Sequence, residues 1–315
     1  MHQKLILGTM TFGPQVDPAA SKKMVHYFLE EGFTEIDSAF VYNGGQTEAI
    51  LGEILPEIDP NSYSIATKVN PKITGVLDEV AIRMQLGKSL ERLNLPSVDL
   101  LYLHFPDTKT PLVETLEACA KLHEEGKFNK LGLSNFPSWM VVEAWHLCQK
   151  NGWPLPEVYQ GLYNGLSRNV EEELFPALRH LGIRFYAYNP LAGGLLSGKY
   201  TNFSDPPIHG RFTLRPNYQS RYWKPSFFAA VEVLATTCKE YDINLAQGAF
   251  RWLAHHSKLD SASGDGIIIG ASKFEQVKQN ILAVKEGKLP TPVLEAFENA
   301  WKEAQPESPA YFRLP

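Results

Sequence analysis

Residues 5–13 read LILGTMTFG, an apolar run that breaks into a turn punctuated by glycine. A run of this kind suits a buried parallel strand, which needs no polar alternation because both of its faces are covered. If it opened a doubly wound dinucleotide-binding sheet, the turn after it would carry G-x-G-x-x-G. Gly8 and Gly13 have the wrong spacing for that fingerprint. The stretch therefore turns the reading away from an open sheet and toward a closed barrel.

Seven similar runs follow: FTEIDSA (33–39), YSIATKV (63–69), VDLLYLHF (98–105), FNKLGLSN (128–135), EVYQGLYN (157–164), IRFYAYNPL (183–191) and GIIIGAS (266–272). Amphipathic segments lie between them, such as LDEVAIRMQLGKSLERL (77–93) and LVETLEACAKLHEEG (112–126). In the second, Leu112, Leu116, Ala120 and Leu122 fall near helical spacing, opposite Glu and Lys. Gly32, Gly126 and Gly182 each stop a helical run shortly before a strand. Eight strands with crossover helices predict a (β/α)8 TIM barrel, a single domain over residues 1–315. Two parts lie outside the repeat: a long loop after the seventh strand (192–225), and a C-terminal helix (293–304) with the tail ESPAYFRLP (307–315).

Composition narrows the class. Of the 315 residues 44% are hydrophobic and 21% charged, and the net charge is -5, without any block of Lys and Arg. That balance speaks against a nucleic-acid binder. No apolar run is long enough to cross a bilayer. The three cysteines are far apart, and no secretory apolar region follows MHQK, so reduced thiols in the cytoplasm are expected.

A barrel places its site where the strands end. Asp37, Lys68 and His104 end the second, third and fourth strand runs, and Tyr42 lies in the loop after the second. Singly, each has a bland reading: a cap, a snorkelling lysine, a satisfied core histidine, a loop anchor. Together they suit proton donation to a developing alkoxide. A phenol with its ordinary pKa near 10 is a weak acid, and an adjacent ammonium stabilises the phenolate. Tyr42 is then the acid, Lys68 its electrostatic partner, Asp37 the group that holds Lys68, and His104 a donor to the carbonyl oxygen. A metal would need Asp37, His104 and a further carboxylate, and Lys68 in their midst opposes one.

No side chain can supply a hydride, so a nicotinamide cofactor is expected. Ser134, Asn135 and Gln160 offer polar groups for its carboxamide, and Tyr188 a ring to stack on. GGLLSGKY (193–200) mimics a Walker A loop, but Tyr200 replaces the hydroxyl residue that would bind Mg²⁺. Leu191, Gly193 and Lys199 are better placed beside a pyrophosphate, where glycine lets backbone approach. Gly270 and Ser272 end the last strand, and KFEQVKQN (273–280), with Gln276 and Asn280, reads as a short helix whose N–H groups suit a phosphate. Lys273, Arg215, Arg221 and Lys224 are candidate cations for such an anion. Phe212, Tyr218, Tyr222, Trp223 and Phe228 either line a substrate site or pack the insert on the barrel.

LGTMTFG, DSAFVYNGGQTE (37–48), ATKVNP (66–71), LYLHFPD (101–107), LHEEGKFNKLGLSNF (122–136), the block at 178–200 and the ending YFR together resemble the aldo-keto reductases. The resemblance is nearest to the subfamily of aflatoxin aldehyde and succinic semialdehyde reductases. It implies NADPH-dependent reduction of aldehydes and some ketones, with transfer of the pro-R hydride. It places Asp37, Tyr42, Lys68 and His104 on the catalytic tetrad and Ser134, Asn135, Gln160 and Tyr188 on the nicotinamide, and it implies a homodimer. Many members bind the cofactor's 2'-phosphate with a Lys-Ser pair and a later Arg. This chain has Ala271-Ser272 and Gln276 there, so the charge falls to Arg221 or Lys273. The competing reading is a cofactor-binding regulatory subunit, similar to the β subunit of potassium channels, with little turnover.

Overall fold

The computed structural model describes residues 3–207, 211–214 and 216–314. Arg215, a candidate anion ligand, lies outside them. Eight strands form a closed parallel barrel in sequence order: β1 (Lys4–Gly8), β2 (Glu35–Asp37), β3 (Ser64–Val69), β4 (Val98–Leu103), β5 (Phe128–Ser134), β6 (Pro156–Leu162), β7 (Arg184–Tyr188) and β8 (Gly266–Gly270). β1 pairs with β8 from Lys4↔Gly266 to Gly8↔Gly270, which closes the ring. Every strand run expected from the sequence is a strand, several of them shorter. FTEIDSA contributes only three residues to the strand, although the N–H groups of Ser38 and Phe40 still bond to β3 carbonyls beyond it.

Helices surround the barrel: α1 (Pro18–Glu30), α2 (Gln46–Ile54), α3 (Pro71–Thr74), α4 (Glu79–Leu93), α5 (Leu112–Glu124), α6 (Ser138–Asn151) and α7 (Leu174–Leu181). After β7 come α8 (Arg211–Leu214), α9 (Pro216–Tyr222), α10 (Pro225–Glu240) and α11 (Leu245–His255), and after β8 come α12 (Phe274–Lys285) and α13 (Thr291–Ala304). Local chemistry sets their ends. Asp78 caps α4 by accepting the N–H of Ala81 at 2.8 Å, and Asn94 stops it in the left-handed region at φ 54°. Gly52 in α2 allows α2 and α4 to touch: a Cβ there would stand 2.1 Å from the Arg92 carbonyl oxygen. No helix among the described residues is long and apolar enough to cross a membrane.

The barrel interior explains why the site residues converge. Ile6, Ala66, Leu100, Tyr102, Val158, Tyr186 and Ile268 form one buried cluster inside the ring. Strand side chains repeat every two residues. One step beyond that layer, the inward position is Gly8 on β1, Lys68 on β3, Gln160 on β6, Tyr188 on β7 and Gly270 on β8, with His104 just past β4. The same alternation that fills the core therefore delivers the polar groups to its C-terminal mouth. Two of these positions are glycine, which keeps the mouth open.

Candidate functional site

Lys68 lies at the centre of the mouth, fully buried. Its ammonium bonds to Oδ2 of Asp37 at 2.7 Å, to the carbonyl of Ser38 at 2.6 Å and to the Tyr42 hydroxyl at 3.4 Å. Three N–H donors thus meet three acceptors. Asp37 is 3% exposed, and its other oxygen accepts the amide N–H of Gln160 at 2.8 Å. Burial pulls the Lys68 pKa below its ordinary value, while the charge and hydrogen bond of Asp37, and the charge of Glu48, push the other way. Glu48 is itself buried and bonded to Thr67 at 2.6 Å and Arg92 at 3.2 Å. An isolated ammonium here would cost several kcal/mol. The flanking carboxylates offset that cost.

Tyr42 enters on a 3-10 turn, Tyr42–Gly45, in which Asn43, Gly44 and Gly45 all have positive φ. The Asn43 amide donates to the carbonyls of Met10 and Phe12, tying this turn to the loop after β1. α2 then begins at Gln46. The rings of Tyr42 and His104 meet edge-on, with centroids 6.1 Å apart. His104 is pushed well below the usual histidine range, by burial first and then by Lys68 and Lys72. Its ring is therefore neutral at neutral pH.

A cleft of about 1000 Å³ runs from this centre across the mouth. Of the sixteen site residues expected from the sequence, all but Lys68 line it: Asp37, Tyr42 and His104 at one end, then Ser134, Asn135, Gln160 and Tyr188, then Leu191, Gly193, Lys199 and Arg221 on one side, and Gly270, Ser272, Gln276 and Asn280 on the other. Lys68 stands behind them, under Tyr42 and Asp37. The amide of Asn135 is already engaged, donating to the His104 carbonyl and to Ser134 Oγ and accepting from the Tyr188 hydroxyl at 2.7 Å. Burial pushes the Tyr188 pKa up to about 12, with Arg221 opposing.

At the far end, KFEQVKQN opens a helix longer than its motif, α12. Oε1 of Gln276 accepts the N–H groups of Ser272 and Lys273 at 2.9 and 3.2 Å, occupying the helix N-terminus from within. Lys199, Arg221 and Lys273 all line the cleft. Lys224 does not share their role: its ammonium bonds to the Glu307 carbonyl in the tail. The insert's aromatics mostly pack. Phe212, Trp223 and Phe228 form edge-to-face contacts with one another and with Tyr200 and Phe203, while Tyr222 is fully buried, so only Tyr218 of the five reaches the cleft.

The residues present fit a phosphorylated dinucleotide, since polar amides, an aromatic ring, the cations Lys199, Arg221 and Lys273, and the start of α12 all line one cleft. Among the described residues, no group of three or more His, Cys, Asp or Glu is placed to hold a metal ion. Sequence reasoning missed Met10, Asn70, Lys72, Phe105 and Arg313, which also line the cleft. Asn70 follows the Lys68 strand and was visible as a strand-end polar residue. Arg313 comes from the tail, whose backbone N–H at Arg313 bonds to the Asn135 carbonyl at 3.0 Å. No local pattern marks it.

Residues 4–302 match the Aldo/keto reductase family. A rat protein named aflatoxin B1 aldehyde reductase member 2 is 48% identical over 98% of this chain and 87% of its own length. The human protein of that name is also 48% identical, and human aldo-keto reductase family 7 member A3 is 46% identical over 98% of this chain and 96% of its own. With that match across the barrel and relatives of this closeness, the chain belongs to the aldo/keto reductase family and is an NADP(H)-dependent reductase.

Proposed function

We propose that the chain reduces aldehydes, and some ketones, to alcohols, with Tyr42 as the proton donor. The observation that carries this reading is the buried Lys68, bonded at once to Asp37 and to the Tyr42 hydroxyl. When bound, NADPH supplies the hydride that adds to the carbonyl carbon. The protein's task is then to place the carbonyl oxygen and protonate it as negative charge develops. His104, neutral and at the cleft, donates a hydrogen bond to that oxygen. Tyr42 delivers its proton to the same atom, and Lys68 stabilises the phenolate left behind. Asp37 and Gln160 keep the ammonium in position.

Ser134, Asn135, Gln160 and Tyr188 hold the nicotinamide end in this reading, and Arg221 and Lys273 are the cations for the 2'-phosphate. Binding there requires Gln276 Oε1 to release the N–H groups of Ser272 and Lys273. The substrate's remote end would meet Met10, Val41 and Phe105. Lys72 and Arg313 stand 4.6 and 5.7 Å from the Phe105 ring, a rim suited to an aldehyde with an apolar body and a negative group.

The test is NADPH consumption with a panel of aldehydes by the parent and Tyr42→Phe. The variant should bind NADPH normally and lose roughly 10²-fold or more in turnover, the usual contribution of a general acid. Turnover within about twofold of the parent would overturn the assignment.

A further inference from the structure

A neutral histidine carries its proton on one ring nitrogen only, and the partner of the other nitrogen decides which. Nδ1 of His104 lies 3.4 Å from Nδ2 of Asn70. The orientation of that amide is fixed by its other end, because Oδ1 of Asn70 accepts the N–H of Lys72 at 2.9 Å and so caps α3. The group left to face the ring is an NH₂, which can only donate. The main chain of Asn70 is clamped too. Gln85, fully buried in α4, accepts its N–H at 2.9 Å and donates to its carbonyl at 3.2 Å.

The ring is held in register with this donor. The His104 N–H bonds to the Val69 carbonyl at 2.9 Å, and its own carbonyl accepts from Asn135 at 2.9 Å. Phe105 stacks on the imidazole, with centroids 4.8 Å apart and planes 19° apart.

We propose that Asn70 is a positioning residue that keeps the proton of neutral His104 on Nε2, the nitrogen turned away from Asn70, ready to donate to a substrate oxygen. The bond is long, and its polarity matters more than its strength. A ring protonated on Nδ1 would set N–H against N–H, so both the alternative tautomer and the imidazolium are disfavoured. The charged groups acting on the ring agree in sign: Lys68 from β3 and Lys72 from α3 are both cations. Arg313 from the tail lies over Phe105, and the Tyr42 ring closes the remaining side. The inference rests on the use of His104 as donor in the reaction proposed above, but its central claim can be read without turnover.

The experiment is ¹⁵N NMR of the full chain with labelled histidine, the His104 signals being assigned by their loss in His104→Gln. The parent should show a protonated Nε2 and a bare Nδ1. Asn70→Asp keeps an acceptor for the Lys72 N–H, hence the cap, yet presents an acceptor to the ring. Its proton should move to Nδ1, the imidazolium should persist to higher pH, and aldehyde reduction should fall roughly tenfold or more, with NADPH affinity unchanged. Asn70→Ser, which caps α3 but is too short to reach the ring, should give a mixture of tautomers. A parent carrying its proton on Nδ1, or Asp and Ser variants with the parent's tautomer, would overturn the proposal. If the parent shows protonated Nε2 but His104→Gln reduces aldehydes at the parent rate, the tautomer assignment stands and the role of His104 in the reaction falls.

Discussion

The amide nitrogen of Gln160, on β6, lies 2.8 Å from Oδ1 of Asp37, on β2. The contact spans the barrel mouth, because β2 pairs only with β1 and β3, and β6 only with β5 and β7. Asp37 is therefore held from two directions, by Lys68 and by Gln160. A hydrogen bond to a charged group contributes roughly 1.5–3 kcal/mol. Gln160→Leu should lower stability by about 2 kcal/mol on that basis and slow reduction as Lys68 loses its anchor. Urea titration gives the first and steady-state kinetics the second. An unchanged denaturation midpoint would show that the bond across the mouth carries no weight.

Lys68→Met removes the group that stabilises charge on Tyr42. Turnover should fall about 10²-fold or more, and the pH dependence of kcat should change shape. Lys68→Arg should not restore activity, since a planar guanidinium cannot match three acceptors arranged around a compact ammonium. A pH profile superposable on that of the parent would break the link between the two residues.

His104 makes a prediction about stability. Its folded pKa lies far below the ordinary 6.5, so below that pH the unfolded chain takes up a proton that the folded chain refuses. Stability should then decline as pH falls below about 6.5, by up to about 1.4 kcal/mol per pH unit from this group. His104→Gln should show a shallower decline between pH 6.5 and pH 5. Parallel curves for parent and variant would place the acid sensitivity elsewhere.

Arg313→Gln tests the rim of the cleft. Its backbone bond to Asn135 survives the change, so the tail stays in place. KM for a carboxylated aldehyde should rise about tenfold, equivalent to about 1.4 kcal/mol, while a neutral aromatic aldehyde is little affected. Equal effects on both substrates would mean that the arginine supports the fold and does not read charge.

Gly52→Ala should destabilise the barrel by about 1–3 kcal/mol or more, the usual cost of overpacking. The new methyl would meet the Arg92 carbonyl oxygen, which is backbone and cannot swing aside. Thermal unfolding measures it. A melting temperature equal to the parent's would show that α2 and α4 separate without cost.

The fold was legible because its pattern is periodic. Seven apolar runs at similar intervals and an eighth after the long insert, with the first lacking a dinucleotide fingerprint, were enough to recover the barrel and the strand ends that carry Asp37, Lys68 and His104. The insert was harder. Its Pro, Arg and aromatic residues hide the helical period of α9, and its buried rings read equally well as a ligand wall until Phe212 and Tyr222 were seen inside the core. Arg313 is a single residue brought in by the tail, so no spacing rule points to it, whereas Asn70, two residues beyond Lys68, offered a strand-end signal that went unused. Gln276 reads from the sequence as a cofactor ligand on a short helix, and only the geometry reveals that its oxygen accepts the N–H groups of Ser272 and Lys273.

The pairing of β1 with β8 has a consequence for biosynthesis. Asp37, Tyr42, Lys68 and His104 leave the ribosome within the first third of the chain, yet the ring that holds them closes only when residues 266–270 are available to Lys4–Gly8. Until then Lys4–Gly8 has an unsatisfied side, and Lys68 must stay in water or find a temporary shelter. A message cut short before β8 would thus yield a polypeptide with every reactive group and no means of aligning them. Such fragments should be substrates for chaperones and proteases, and not weak reductases.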